Sequence, residues 1–317
     1  MAFNDFISRG NATPLIPEDA IREIIQEVEE FSSVLSVSRR LSNMASGQQR
    51  LPVATALVTA QFLNAESDLK QTSSAEWTNR FIDAEELAVI VPVPEAVVAD
   101  VDYDIWGEIR PQIMGAFGAA IDAAILFGAG APGNWPDDIL AGATAAGHAV
   151  ALNASGIDLY ADIMGSDAFV GVLGAVEADG YMVNGHVAGL SMKRRLRGLR
   201  DVNGQPMFLS SMQERTIYEL DGAPVFFPRN GSMDEGQALL FSGDWSKLVY
   251  SIRQDMTFKI LDQAVINDAA GNIVVNLAQQ DMVALRAVMR LGWQLPNPVN
   301  RTNPNDATRY PFAVLTP

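Results

Sequence analysis

Leu51-Pro-Val-Ala-Thr-Ala-Leu-Val-Thr-Ala-Gln-Phe62, the polar tip Asn64-Ala-Glu-Ser-Asp-Leu-Lys-Gln-Thr-Ser-Ser74, and Trp77-Thr-Asn-Arg-Phe-Ile-Asp-Ala-Glu-Glu-Leu-Ala-Val-Ile-Val-Pro-Val93 together decide how this chain folds. In the first arm Leu51, Val53, Thr55, Leu57 and Thr59 face one way, and Ala54, Ala56, Val58, Ala60 and Phe62 face the other, as the two-residue period of a strand requires. The stretch therefore reads as a β-ribbon, with Trp77 to Val93 as the return arm. An arm of ~12 residues at ~3.3 Å each reaches roughly 40 Å. A two-stranded ribbon of that length is marginal alone in water. Both faces carry apolar groups, so its cover must come from a neighbouring subunit or a ligand, or the ribbon must be disordered.

The rest of the composition is that of a globular protein with a real core: 317 residues, 48% hydrophobic and 19% charged, enough for two domains or one elaborated one. Lys and Arg number 22 against 38 Asp and Glu, a net charge of −16. That balance makes the chain a poor general binder of nucleic acid or of an anionic membrane. It favours solubility and makes like subunits repel until specific contacts form. The absence of cysteine excludes disulfides, thiolate zinc sites and cysteine nucleophiles. The N-terminus lacks a signal-peptide pattern, and no run reaches ~18 uninterrupted apolar residues, so no membrane span is expected.

Residues Met1 to Pro17 read as an extended arm. Pro17 starts a helix with an acidic first turn, Glu18 and Asp19, and a stripe of Ile21, Ile24, Ile25 and Val28. After the ribbon comes the strongest helix, capped by Asp102 or Asp104, with Ile105, Ile109, Ile113, Ala116, Phe117, Ala120, Ala124 and Phe127 on one face. Pro111 predicts a bend or a start at that point. The middle, 151 to 251, reads as a mixed unit. It holds a helix from Asp158 to Val176 broken near Gly165, a strand at Tyr181–Asn184, a helix from Val187 to Arg200 and a strand at Ala223–Phe227. Long strands follow at Leu248–Ile260 and Met282–Leu291, then a Pro- and Asn-rich tail from Asn297.

The search for chemistry is unrewarding. Gly128-Ala-Gly130-Ala-Pro-Gly133 matches G-x-G-x-x-G, but a helix rather than a strand precedes it, so it reads as a helix-ending loop. Asp100, Asp102 and Asp104 have the spacing of a calcium loop, yet Ile105 and Pro111 stand where Gly and Glu belong; capping explains them. His148 and His186 have no partner spacing and read as structural or surface residues. Nothing sets Glu85-Glu86 or Asp137-Asp138 across a cleft. The basic run Lys193-Arg194-Arg195-Leu-Arg197 reads as ion-paired with acidic neighbours rather than as a DNA contact. No catalytic, cofactor-binding or metal-binding residue is expected. An arm, a ribbon and a rod that cannot bury themselves point to an assembly protein.

In that order the elements resemble the tailed-bacteriophage major capsid proteins with the Hong Kong 97-type fold. The matching stretches are Leu15-Ile-Pro-Glu18 with its helix, the ribbon with its tip Ala65 to Ser74, Leu87–Val93, the rod Asp104 to Gly128, Tyr181–Asn184, Gly243-Asp-Trp245 and Asp281–Arg290. The resemblance implies an α+β fold with an N-terminal arm (1–24) and an extended β-ribbon loop (48–82). It also implies a peripheral domain on the spine helix (25–47, 83–150 and 250–295) and an axial domain (151–249 and 296–317). It further implies self-assembly as hexamers and pentamers into an icosahedral shell around packaged double-stranded DNA, held non-specifically. The ribbon tip, Glu66, Asp68, Lys70 and Trp77, would contact a neighbouring subunit. Scaffolding, portal and decoration proteins are the partners it brings into view, with assembly in the host cytoplasm, residence in the virion and no membrane.

Some members of that family weld the shell with a Lys–Asn isopeptide bond assisted by a Glu. Lys70 sits where the lysine would be, but Gln279-Gln280-Asp281 replaces the Asn, and Val288-Met289 stands near the Glu position. No crosslink is expected, so a ladder of bonded multimers on a denaturing gel would overturn that reading. The family's cleaved scaffolding segment has no room here, so a separate scaffolding protein, or none, is expected. Two other functions compete: an encapsulin-like nanocompartment shell and a soluble α/β nucleotide-binding enzyme using the Gly128 loop.

Overall fold

The computed structural model describes residues 31–62, 70, 72–100, 104–199, 218–268 and 270–317. The sequence-predicted arm and the helix after Pro17 lie outside them. In chain order the described elements are α1 (Ser33–Val37), β1 (Arg39–Arg40), β2 (Gln48–Ala56), β3 (Glu76–Asp83), β4 (Glu85–Pro94), α2 (Glu95–Asp100), α3 (Ile105–Phe127), α4 (Ile139–Ala146) and β5 (Ala149–Ala151). There follow α5 (Leu159–Met164), α6 (Gly171–Ala178), β6 (Gly185–Ala188), α7 (Leu190–Gly198), β7 (Glu219–Leu220), β8 (Ala223–Phe226) and β9 (Leu240–Gly243). The last are β10 (Val249–Leu261), β11 (Val265–Asn267), β12 (Ile273–Asn276), β13 (Met282–Gln294) and β14 (Phe312–Thr316).

Two sheets organise the molecule. One has the order β1-β10-β13-β4, and the other β5-β14-β9-β6-β8-β7; β2-β3 and β11-β12 are separate pairs. In the six-stranded sheet the two-residue period of a strand divides the side chains between two cores. Val187, Phe241, Phe312 and Val314 face the core built with α3 and the four-stranded sheet, alongside Ile121, Ile125, Leu285 and Trp293. Their neighbours Ala188, Leu240, Ala313 and Leu315 face the second core, with Ile163, Val172, Met192 and Leu196 of α5, α6 and α7. Strands covered on both sides read as continuous apolar runs, and β6, β9 and most of β14 are buried throughout.

Helix α3 is the rod. Asp104 caps it by accepting from the Gly107 amide at 3.1 Å, and Gly128, at φ 67°, ends it in the left-handed region. The helix runs through Pro111 rather than starting there; so near the N-terminus, only the amide bond to the Gly107 carbonyl is forfeited. Its buried face differs from the predicted stripe. Ile113, Phe117 and Ala124 are buried as expected, but Ala116 and Ala120 are exposed, while Ile121, Asp122, Ile125 and Leu126 are inside. By length and composition α3 could cross a membrane; here it is the central helix of the main core.

Three further boundaries move. The return arm is two strands, because β4 leaves the ribbon at Ala84 and joins β13 over Leu291↔Glu85 to Met282↔Pro94. Tyr181–Asn184 is not a strand; β6 starts at Gly185 and takes Val187, so the following helix begins only at Leu190. The C-terminal tail contains β14, a central strand between β5 and β9.

Candidate assembly interface

The ribbon pairs β2 with β3 antiparallel from Gln48↔Asp83 to Ala56↔Glu76, with a bulge between Ala54 and Ala56. Pairing thus stops short of the twelve-residue arms read from sequence, although the Thr59 amide still reaches Ser73 Oγ at 2.8 Å. Pro52 lies within β2, opposite Asn79; proline is tolerated on strands with a free edge. Apolar side chains stand in solvent along the ribbon: Phe62 is 101% exposed, Trp77 69% and Val58 53%, with Leu57 and Phe81 also exposed.

The base is held firmly. Ile82, Ala84, Met44 and Val249 form a small buried cluster there. The Gln294 amide donates to the Phe81 carbonyl at 2.9 Å, and Trp135 Nε1 donates to the Asp83 carbonyl at 3.2 Å. Gly292 is needed at this crossing, since a Cβ there would lie 2.2 Å from the Asp83 carbonyl oxygen. The C-terminal segment grips the first arm: the Val299 amide donates to the Ala54 carbonyl at 3.1 Å, and Arg301 Nη2 to the Val58 carbonyl at 2.9 Å. That segment is pinned by Asp179. Its carboxylate accepts from Asn303 Nδ2 and the Tyr310 amide, both at 2.7 Å, and lies 3.3 Å from His148 Nε2. The structure therefore presents a rigidly rooted, apolar, projecting ribbon, a form suited to contact.

Of the four expected contact residues, Trp77 lies opposite Ala54 with its indole in solvent, and Lys70 is exposed. Glu66 and Asp68 lie outside the described residues. The structure does not bring chemistry to the other candidates. His186 is fully buried, its Nδ1 2.8 Å from Ser242 Oγ and its Nε2 3.0 Å from the Leu220 carbonyl. A carbonyl only accepts, so Nε2 carries the proton and Ser242 donates to Nδ1. Burial pulls its pKa down to about 4. Asp104 and Asp138 are helix caps, while Glu86 lies 3.7 Å from Arg290 Nε. Asp102 lies outside the described residues, and among the described residues no cluster of His, Asp or Glu could hold a metal. The Gly128 loop borders a cleft of about 150 Å³ shared with Glu85, Glu86, Ala120, Ile121 and Trp135. That is below the roughly 300 Å³ of small ligand sites, and its only charges would repel a phosphate.

Sequence reasoning missed one polar centre. Asp122 is fully buried in the middle of α3. Its carboxylate accepts from the Ser32 hydroxyl, the Ser33 and Val34 amides at 3.0 and 3.2 Å, and Asn230 Nδ2 at 3.0 Å. It thereby holds the start of α1, where the N-terminal segment joins the body. Gly118, one turn earlier, makes room: a Cβ there would sit 2.0 Å from the Phe31 carbonyl oxygen. The signal was present, since Asp122 is the sole charged residue between Pro111 and Phe127.

As a whole the chain is similar to known proteins. The chain is 26% identical over 272 residues to the major capsid protein of Staphylococcus phage 80alpha, covering 84% of this chain and 78% of that one. A solved structure from Microbacterium phage Oxtober96 superposes with a TM-score of 0.82 at 37% identity, covering 99% of this chain and all of that one (100%). One from Mycobacterium phage Adephagia gives 0.81 at 31% identity, over 99% and 98% of the two chains. The mixed helix-and-sheet architecture is thus a phage architecture, consistent with the Hong Kong 97 type. A sequence model of the phage capsid family matches residues 12–299, nearly the whole length, and the chain belongs to the phage capsid family.

Proposed function

We propose that this chain closes, as hexamers and pentamers, into an icosahedral shell around packaged double-stranded DNA. The coarser role is that of its family: a structural capsid protein of the phage virion, not an enzyme, that assembles with copies of itself. The observation that carries the finer reading is the ribbon, anchored at its base and apolar in solvent along its length. The tip residues Glu66, Asp68, Lys70 and Trp77 would meet the adjacent subunit.

The proposed division assigns 1–24 to the arm, 48–82 to the extended loop, 25–47, 83–150 and 250–295 to the peripheral domain, and 151–249 with 296–317 to the axial domain. Sheet membership favours one change. β5 pairs with β14, so the boundary falls better at Gly147 than inside β5. Assembly in the host cytoplasm, and scaffolding, portal and decoration partners, belong to the same proposal. An encapsulin-like compartment would share the architecture, but the relatives above come from phages.

Sedimentation and negative-stain imaging of the purified chain test the shell. Closed particles of uniform size are expected; a species that stays at 34.2 kDa under all assembly conditions, with scaffolding protein supplied, would overturn it. Particles recovered from infected cells should contain DNA, whereas protein cargo would favour the compartment. A denaturing gel of those particles should show single chains, since Lys70 lacks its Asn and Glu partners.

A further inference from the structure

We propose that the outward face of α7 is a contact for the phosphate backbone of double-stranded DNA. The inference rests on the reading that the shell encloses such DNA. Helix α7 holds Lys193, Arg194, Arg195 and Arg197 and no carboxylate in nine residues, within a chain of net charge −16. The ion pairing expected from sequence is not what holds its first cations. Lys193 Nζ lies over the rings of Tyr218 and Phe227, 4.2 and 5.5 Å from their centroids. Arg194 and Arg195 are exposed and make no ion pair among the described residues. Glu235 meets the helix at its first turn instead, where it accepts from the Ser191 amide at 2.8 Å.

What that face lacks points to its partner. Met192 and Leu196 are buried in the second core, which leaves Arg194, Arg195, Arg197 and Gly198 outside, with Leu190 the one exposed apolar residue of the helix. Residues three and four apart share a helix face, so Gly198 lies beside Arg195 and Arg194. A Cβ at Gly198 would meet nothing within 4 Å, and the surface beside both arginines is open. Interfaces between protein chains are built around an apolar centre, which this face does not have. Arginine and lysine are the usual partners of phosphate oxygens. The helix dipole favours Arg195 and Arg197 in the last turn but leaves Arg194 unexplained. The chain as a whole repels DNA, so each contact is weak. Many copies around one duplex add their contacts through effective concentration, and contacts that are weak singly hold a genome without fixing it in place.

The chain's lack of cysteine makes a local test possible. Gly198→Cys is installed in the full chain, with Gly133→Cys as the control at a second exposed glycine whose Cβ would meet nothing within 4 Å. Each is offered a short duplex of random sequence, below saturation, that carries a tethered pyridyl disulfide. Each rate is divided by that for free dipyridyl disulfide, which removes differences in thiol reactivity. The corrected rate for Gly198→Cys should be about tenfold that of the control at low salt, as two phosphate contacts allow. It should fall about tenfold from about 50 to about 200 mM salt, a slope near −1.8. Adding Arg194→Glu and Arg195→Glu should bring it to the control rate. Arg194→Lys and Arg195→Lys keep the charge and should leave most of it, which separates lost charge from lost fold. Equal rates at the two cysteines would overturn the proposal, as would a rate indifferent to the reversals. So would a polyglutamate with the same disulfide that reacts as fast as DNA at Gly198→Cys, since the face would then fit any acidic partner, a second copy included. The shell reading fails on a different result: it falls if particles enclose no DNA, whatever rates the unassembled chain gives.

Discussion

Asp122 and His186 are buried titratable groups with opposite consequences for acid stability. Burial raises the Asp122 pKa, with hydrogen bonds from Ser32, Asn230, Ser33 and Val34 opposing it. Its folded pKa lies above the unfolded value of 3.8, so its contribution is full below that value and is lost as pH rises through the folded pKa. His186 is the reverse. Its folded pKa of about 4 lies below the unfolded 6.5, so its contribution is full above 6.5 and is lost as pH falls toward 4. For His186 that difference corresponds to roughly 3 kcal/mol of stability lost between pH 7 and pH 4, in the opposite sense to Asp122. Urea unfolding across this range should therefore differ between the parent and His186→Gln, the variant losing less stability as the pH falls. An unchanged slope would assign acid sensitivity to other groups. Asp122→Ala strands four donors in the interior and is expected to cost roughly 3 kcal/mol or more. Asp122→Asn, which keeps one acceptor oxygen, should cost less and retain the His186 slope.

At the scale of elements, the C-terminal segment connects Asp179 to the ribbon. Removing the Asp179 carboxylate frees Asn303, the Tyr310 amide and His148, while Val299 and Arg301 hold Ala54 and Val58. Asp179→Ala is therefore expected to raise amide exchange at Val299, whose bond to the ribbon depends on a fixed tail, and to cost roughly 3 kcal/mol in unfolding. Exchange confined to residues 300–310 would show that tail and ribbon are independent. What the sequence made legible at this scale follows from period and capping. Asp104, the apolar run to Phe127 and Gly128 defined α3 within a residue or two, because cap, core and stop coincide. Its face was misjudged because the helix is apolar nearly all round, so alanines at 116 and 120 are no guide to direction. β14 was missed because Phe312–Thr316 is five residues between prolines, and a run that short carries no period of its own. The ribbon's return arm looked continuous because β3 and β4 share the strand period; what separates them is the change of partner at Ala84, from β2 to β13.

For the whole molecule, charge and the ribbon pull in opposite directions. A net charge of −16 keeps subunits apart at low ionic strength, whereas exposed apolar groups on the ribbon favour contact. The ribbon was legible in the sequence because two alternating arms flank a polar tip, with apolar groups on both faces. Its anchoring was not, because Val299 and Arg301 lie more than 200 residues from the arm they grip, and no local pattern encodes such a pairing. Trp77 allows the two forces to be separated. Its indole is 69% exposed in the single chain, so Trp77→Ala should leave subunit unfolding within about 0.5 kcal/mol of the parent, as for other exposed positions. Once covered by a neighbour, the same side chain would remove on the order of 150 Å² from water, an upper limit near 4 kcal/mol per contact. Part of that is given back in ordering the ribbon tip, leaving about 2–3 kcal/mol, or a rise of roughly 30- to 150-fold in the concentration needed for assembly. Light scattering against subunit concentration measures that threshold. Removing residues 64–74 should abolish closed particles while leaving the subunit soluble and folded, since the buried base at Ile82 and Ala84 is untouched. If the deletion instead unfolds the subunit, the ribbon belongs to a core. If Trp77→Ala leaves the threshold unchanged, the neighbour contacts the ribbon elsewhere. Added salt should lower the threshold of both the parent and Trp77→Ala by the same factor, because screening acts on net charge and not on the indole.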